Sequence, residues 1–145
     1  MTDSADGPPR DRPESGGDVE DAVTQGIRVS IRSQFLPEHS SAPERRWAFS
    51  YTVTISNEGT ELATLLARHW VITDASGHVE HVRGPGVVGY QPRLEAGQSF
   101  TYTSGAILRT SHGTMQGEYL MERADGSRFD ANIAPFALAT PESVN

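Results

Sequence analysis

Between Trp47 and Ile55 every second side chain is large and apolar: Trp47, Phe49, Tyr51, Val53 and Ile55 alternate with Ala48, Ser50, Thr52 and Thr54. Successive side chains of an extended chain point to opposite faces, so this run has one apolar face and one wet one. A slip of one residue would turn all five bulky groups into water, which fixes the register of the strand. Such a strand needs a second apolar layer to lie against.

The same period recurs along the chain. Ile27, Val29 and Ile31 alternate with Arg28, Ser30 and Arg32, and Asn57-Glu58-Gly59 supplies turn chemistry after the long strand. A further strand is expected over about Leu65–Thr73, with Leu66, Trp70 and Ile72 on one face and Leu65, Ala67 and Val71 on the other. Asp74-Ala75-Ser76-Gly77 turns it into a short strand, His78–Arg83. Phe100 and Tyr102 open the next, with Gly105 placed as a bulge signal. Met115, Gly117, Tyr119 and Met121 begin another. The last runs through Phe129, Ala131, Ile133, Phe136 and Leu138, broken at Pro135, which suits a sheet edge or a crossing between sheets. Residues 26 to 141 hold no sustained 3.6-residue period; Glu61 to Arg68 has room for one helical turn at most. About seven short strands with regular turn signals predict an all-β, two-sheet sandwich.

Residues 1–25 differ from the rest. Asp3, Asp6, Asp11, Glu14, Asp18, Glu20 and Asp21 face only Arg10 and Arg12, and carry five of the chain's seven net negative charges. With so little apolar content this leader is expected to be a disordered acidic tail, the domain to span 26–141, and residues 142–145 to form a short C-terminal tail. A near-neutral domain lacks the basic footprint of a nucleic-acid binder. No apolar run reaches membrane-spanning length, so no membrane insertion is expected. The first residues lack the apolar stretch of a signal peptide, and a cytoplasmic location is expected. No cysteine is present, which removes disulfides, thiolate metal sites and thiol nucleophiles. All twelve cationic residues are Arg, so neither a Schiff-base lysine nor a P-loop lysine exists.

Gly84-Pro85-Gly86-Val87-Val88-Gly89 matches GxGxxG. In a dinucleotide-binding unit those glycines precede a helix whose N-terminus receives pyrophosphate. Here β-formers follow, and Pro92 stands three residues after the last glycine, so that use is rejected. Glycines also permit a concave nest of N–H groups without a helix. Gly84, Gly86 and Gly89, helped by Arg83 and Arg93, are therefore the candidate phosphate-binding residues. Two or three charge-assisted hydrogen bonds of about 1.5–3 kcal/mol each stand against an association cost of at least ~4 kcal/mol, so the expected affinity is weak. The competing explanation is a tight turn that needs positive φ.

The other chemistry-bearing strings are poor sites. His78 and His81 in His78-Val79-Glu80-His81 face opposite sides of a strand, and His78 with Glu80 supplies only two ligands, so no metal site is expected. His39, His69 and His112 have no near partner in sequence. Ser111-His112 point apart on an extended chain, and no nucleophile elbow surrounds Ser104 or Ser111. Glu118 and Glu122 fall on the wet face of their strand. No catalytic residue and no cofactor is expected, and Trp47 and Trp70 read as core.

Taken in order, Trp47-x-Phe49-x-Tyr51-x-Val53-x-Ile55-x-Asn57, Arg68-x-Trp70-x-Ile72-Thr73, the Gly84–Gly89 loop with Gln91-Pro92, Tyr102-Thr103-Ser104-Gly105-Ala106 and Gly113-Thr114-Met115-Gln116-Gly117-x-Tyr119-x-Met121 closely resemble the ApaG family. The resemblance covers about residues 26–141 and leaves the acidic leader outside. It implies a fibronectin type III-like sandwich, agreeing with the strand pattern. It further implies a family associated with cobalt and magnesium efflux phenotypes and, in bacteria, with diadenosine tetraphosphate metabolism. Related domains in eukaryotic F-box and polymerase-interacting proteins imply a binding module, and the glycine loop has been proposed there as a pyrophosphate site. The expectation is a non-catalytic domain that recruits a protein partner through an exposed sheet face or edge. The polar face of the first strand, with Arg28 and Arg32, is one such surface. The rival is a weak sensor of pyrophosphate or dinucleoside polyphosphate on the loop.

Overall fold

In a computed structural model, which describes residues 19–144, nine strands form two antiparallel sheets. The first sheet has the order β1 (Glu20–Thr24), β2 (Ile27–Phe35), β3 (Trp47–Asn57), β7 (Ser99–Leu108). The second runs β5 (Val79–Pro85), β4 (Ala63–Asp74), β8 (His112–Arg123), β9 (Arg128–Ala139), with the two-residue β6 (Arg93–Leu94) pairing at the end of β4. Short 3-10 turns lie at Pro37–His39 and Pro141–Val144.

The alternating faces meet between the sheets. Phe49, Val53 and Ile55 of β3 bury against Leu65 and Trp70 of β4 and Met115, Tyr119 and Met121 of β8. Tyr51 makes an edge contact with Trp70, ring centroids 5.3 Å apart, which locks one sheet to the other at the centre. Trp70 is 2% exposed, as expected of core; Trp47 is half-buried at its margin.

Several expectations are corrected. Glu20–Thr24, assigned to the disordered tail, forms β1: its short alternation pairs it to β2, and the Asn132 N–H donates to Thr24 Oγ1 at 3.0 Å. The rest of that leader, residues 1–18, lies outside the described residues. Glu61–Arg68 makes no helical turn but leads into β4. Within β4 the faces of two leucines are exchanged. A bulge between Leu65 and Ala67 adds one residue, so Leu65 turns onto the core and Leu66 stays half-buried. Gly105 makes no bulge; β3 and β7 pair without interruption from Trp47↔Leu108 to Ser56↔Ser99. The last strand is not broken at Pro135 but continuous. It belongs to an edge, and the register shift at Met115/Gly117 places Ala134 and Pro135 in a bulge, where no ladder N–H is required.

The sandwich is closed along one side and open along the other. On the closed side β9 lies against the first sheet, where Ser33 Oγ also donates to the carbonyl of Ala137 at 2.8 Å. On the open side, edge strands β5 and β7 stand apart and leave a groove of about 650 Å³ between the sheets.

Candidate functional site

The glycine segment ends β5 and folds back as a hairpin. Gly84 and Pro85 still pair with β4, and the Gly86 N–H donates to the carbonyl of Leu66 at 2.8 Å. That carbonyl belongs to the bulged residue and also accepts from the side-chain amide of Gln91 at 2.9 Å. Val87 and Tyr90 exchange N–H···O bonds of 2.8 Å across a two-residue turn. The turn residues Val88 and Gly89 have φ of 41° and 87°, the geometry of a hairpin turn whose twist matches its flanking strands. Gly86, at φ 60°, admits no side chain, because a Cβ there would sit 2.3 Å from the Tyr90 carbonyl oxygen.

Arg68 stands behind this hairpin. Its Nη1 donates to the carbonyls of Pro85 at 3.0 Å and Gly86 at 3.1 Å, and its guanidinium lies over Gly84, where a Cβ would come within 2.9 Å of Nη2. Tyr90 packs on Phe100 of β7, ring centroids 5.8 Å apart, so the hairpin closes one end of the groove. Tyr51, Trp70 and Val82 make its floor apolar, and Ser104 to Ile107 of β7 form one wall. Arg68 lines it half-buried, and among the described residues no carboxylate is in ion-pair contact with it. Glu80 and His39 are exposed at the rim.

The phenols beneath the groove are held neutral. Burial raises Tyr51, and raises Tyr102 and Tyr119 further still. Ser104 stands in register with Tyr51 on the neighbouring strand.

The structure brings the three loop glycines together but separates the two cations assigned to them. Arg83 is exposed on the outer face of β5, in register with His69, while Arg93 forms an exposed pair with Glu95 at 3.2 Å. The N–H groups of Gly86, Val87 and Tyr90 are spent within the protein; those of Val88 and Gly89 have no partner among the described residues. Arg68 is a site residue that closeness in sequence to the glycines does not reveal. Its signal was present: a charge two residues before Trp70, on the face that Trp70 buries.

Other candidates fall into pairs. His81 meets His69, not His78: His69 Nε2 lies 2.9 Å from His81 Nδ1, and His69 Nδ1 is 2.7 Å from Glu118 Oε2. Glu122, like Glu118, is paired and not simply solvated; Arg128 reaches it at 3.1 Å. Among the described residues no three such groups are arranged to hold a metal ion. Ser111 Oγ and His112 Nδ1 do approach, to 3.4 Å, because Ser111 precedes β8 and escapes its alternation. That contact is long for a hydrogen bond between a nucleophile and its base. Arg28 is engaged by Glu58 and Asp21, which hold it firmly charged, and β1 pairs along the edge of β2, while Arg32 stays exposed on the same polar face. No described helix is long and apolar enough to cross a membrane.

Two facing antiparallel sheets, with a glycine hairpin clamped by an arginine, define a β-sandwich domain. The model of the ApaG domain matches residues 37–123. The chain is 51% identical over 127 residues to protein ApaG of Stenotrophomonas maltophilia, covering 88% of this chain and all of that one. It is 55% identical over 124 residues to protein ApaG of Anaeromyxobacter dehalogenans, covering 86% and 98%. A crystal structure described as an ApaA protein from Bordetella pertussis superposes with a TM-score of 0.78 at 42% identity, over 83% of this chain and 98% of that one. The chain belongs to the ApaG family.

Proposed function

We propose that this chain is a non-catalytic interaction domain of the cytoplasm that takes a partner segment into the groove between β5 and β7. The observation that carries this reading is Arg68, a half-buried cation in a largely apolar cleft with no carboxylate in ion-pair contact with it among the described residues. Burying a charge is costly unless it is matched, and two main-chain carbonyls supply dipoles but no counter-charge. A photocrosslinker at Ile107, 63% exposed on the groove wall, tests it. Adducts with a reproducible partner should form from there and not from a crosslinker at exposed Asp130 on β9. Equal labelling from both positions removes the reading.

The rival, a pyrophosphate or dinucleoside polyphosphate site on the hairpin, is favoured by the two open N–H groups of Val88 and Gly89. Amide NMR titration with pyrophosphate decides it. Shifts confined to residues 83–93 support it, and a flat titration removes it.

A further inference from the structure

The edge that β7 offers the groove has an unusual composition. Ser99–Leu108 reads SFTYTSGAIL: ten residues with no charge and no proline. Its register with β3 is unbroken, so no bulge twists it away, and its other edge pairs with no described strand. Soluble proteins guard free edges with charges, prolines, bulges or covering elements, because a bare edge is a template for another strand. The other free edges here are guarded. The edge strand β9 bears the bulge at Pro135 and is covered by β1. The edge strand β5 carries Glu80, His81 and Arg83, and β1 carries Glu20 and Asp21. On β7 itself the Tyr90 ring covers Phe100, which leaves Ser104 to Ile107 open, beside the unmatched guanidinium.

We infer that the groove takes an extended peptide bearing a carboxylate: its backbone adds to β7 along Ser104–Ile107 and the carboxylate lies on Arg68. This deepens the interaction reading and rests on it. Main-chain bonds to the edge would supply affinity, and alternate side chains entering the cleft, specificity. Gly105 and Ala106 keep the edge accessible, while Tyr51, Trp70 and Val82 accept apolar side chains. The guanidinium's planar fork suits a carboxylate. A terminal carboxylate and an Asp or Glu side chain share this chemistry.

The test uses the full chain, isotope-labelled, and acetylated alternating threonine–valine peptides of about six residues, an ordinary strand length. One has a free C-terminus, one is amidated, and one is amidated with an internal glutamate. A carboxylate-bearing peptide should shift and protect alternate amides between Thr103 and Ile107. It should bind about tenfold more tightly than the neutral peptide, the scale of one charge-assisted contact. Arg68→Gln should abolish that preference while leaving the weak binding of the neutral peptide. Comparing the two acidic peptides shows whether the terminal or the side-chain carboxylate is preferred. Equal binding of neutral and acidic peptides on β7 overturns the inference but keeps the groove as an interaction site. Failure of all three to perturb the groove, with no crosslinked adduct from Ile107, sinks both. Concentration-dependent protection of β7 without peptide overturns the inference in favour of a second copy of this chain.

Discussion

The phenol hydroxyls of Tyr102 and Tyr119, one from each sheet, meet in a hydrogen bond inside the core. Tyr119 is fully buried and Tyr102 is 7% exposed, so neither hydroxyl has water as an alternative. Removing one of them leaves the other buried and unmatched, at a cost of about 1–3 kcal/mol. Tyr119→Phe and Tyr102→Phe should each destabilise by that amount in urea denaturation. The double variant should cost less than the sum of the two, since both polar atoms are then gone. Strict additivity would show that the hydroxyls do not depend on each other.

These phenols also set the alkaline limit of the fold. Burial raises Tyr51, Tyr102 and Tyr119 above their unfolded value of about 10. A raised folded pKa means that the native state holds its proton more tightly. The contribution is therefore complete below about pH 10 and is lost as pH climbs through the folded values. Phenolate absorbance should show these three of the chain's four tyrosines titrating late and jointly with unfolding. Early, independent titration of all four would contradict the buried cluster.

Trp70 makes edge contacts with Tyr51, Tyr119 and Phe136, and so joins both sheets at one point. Trp70→Ala should cost about 3–5 kcal/mol through lost burial and a residual cavity. Trp47→Ala, from the half-buried margin, should cost clearly less. Thermal melts of the two variants make the comparison, and equal losses would contradict the different depths of the two rings.

The parts of this fold that obey a local rule could be read from sequence. Trp47 to Ile55 needed only the two-residue period, and β3 lies where that period puts it. What escaped were effects that a period cannot encode. One extra residue at Leu66 exchanged the faces of two leucines and freed a carbonyl to anchor the glycine hairpin. Glu20–Thr24 looked like more acidic leader because five residues cannot declare a period against such a background; pairing to β2 makes them a strand. Of the site, the glycines stood out as a string, whereas their partner Arg68 lies sixteen residues before Gly84 and meets it only through strand pairing. Arg83 and Arg93 stand close to the glycines in sequence, and the sheet geometry sends them elsewhere.

Val88 is the most strained residue of the hairpin. A β-branched side chain at φ 41° is in the left-handed region that such residues avoid, and at 49% exposure it gains little from packing. Asn-Gly is the preferred pair for this turn, because asparagine tolerates positive φ and glycine already fills the second place. Val88→Asn should therefore stabilise the chain by about 0.5–1 kcal/mol, the usual scale for relieving such a mismatch. Gly86→Ala should do the opposite, since its Cβ would collide with the Tyr90 carbonyl and force the hairpin away from Arg68. If binding in the groove survives Val88→Asn and fails with Gly86→Ala, the hairpin serves as the mount that holds Arg68 in place. If Val88→Asn lowers stability, the turn geometry assigned to residues 87–90 is wrong, and with it the account of why the glycines are there.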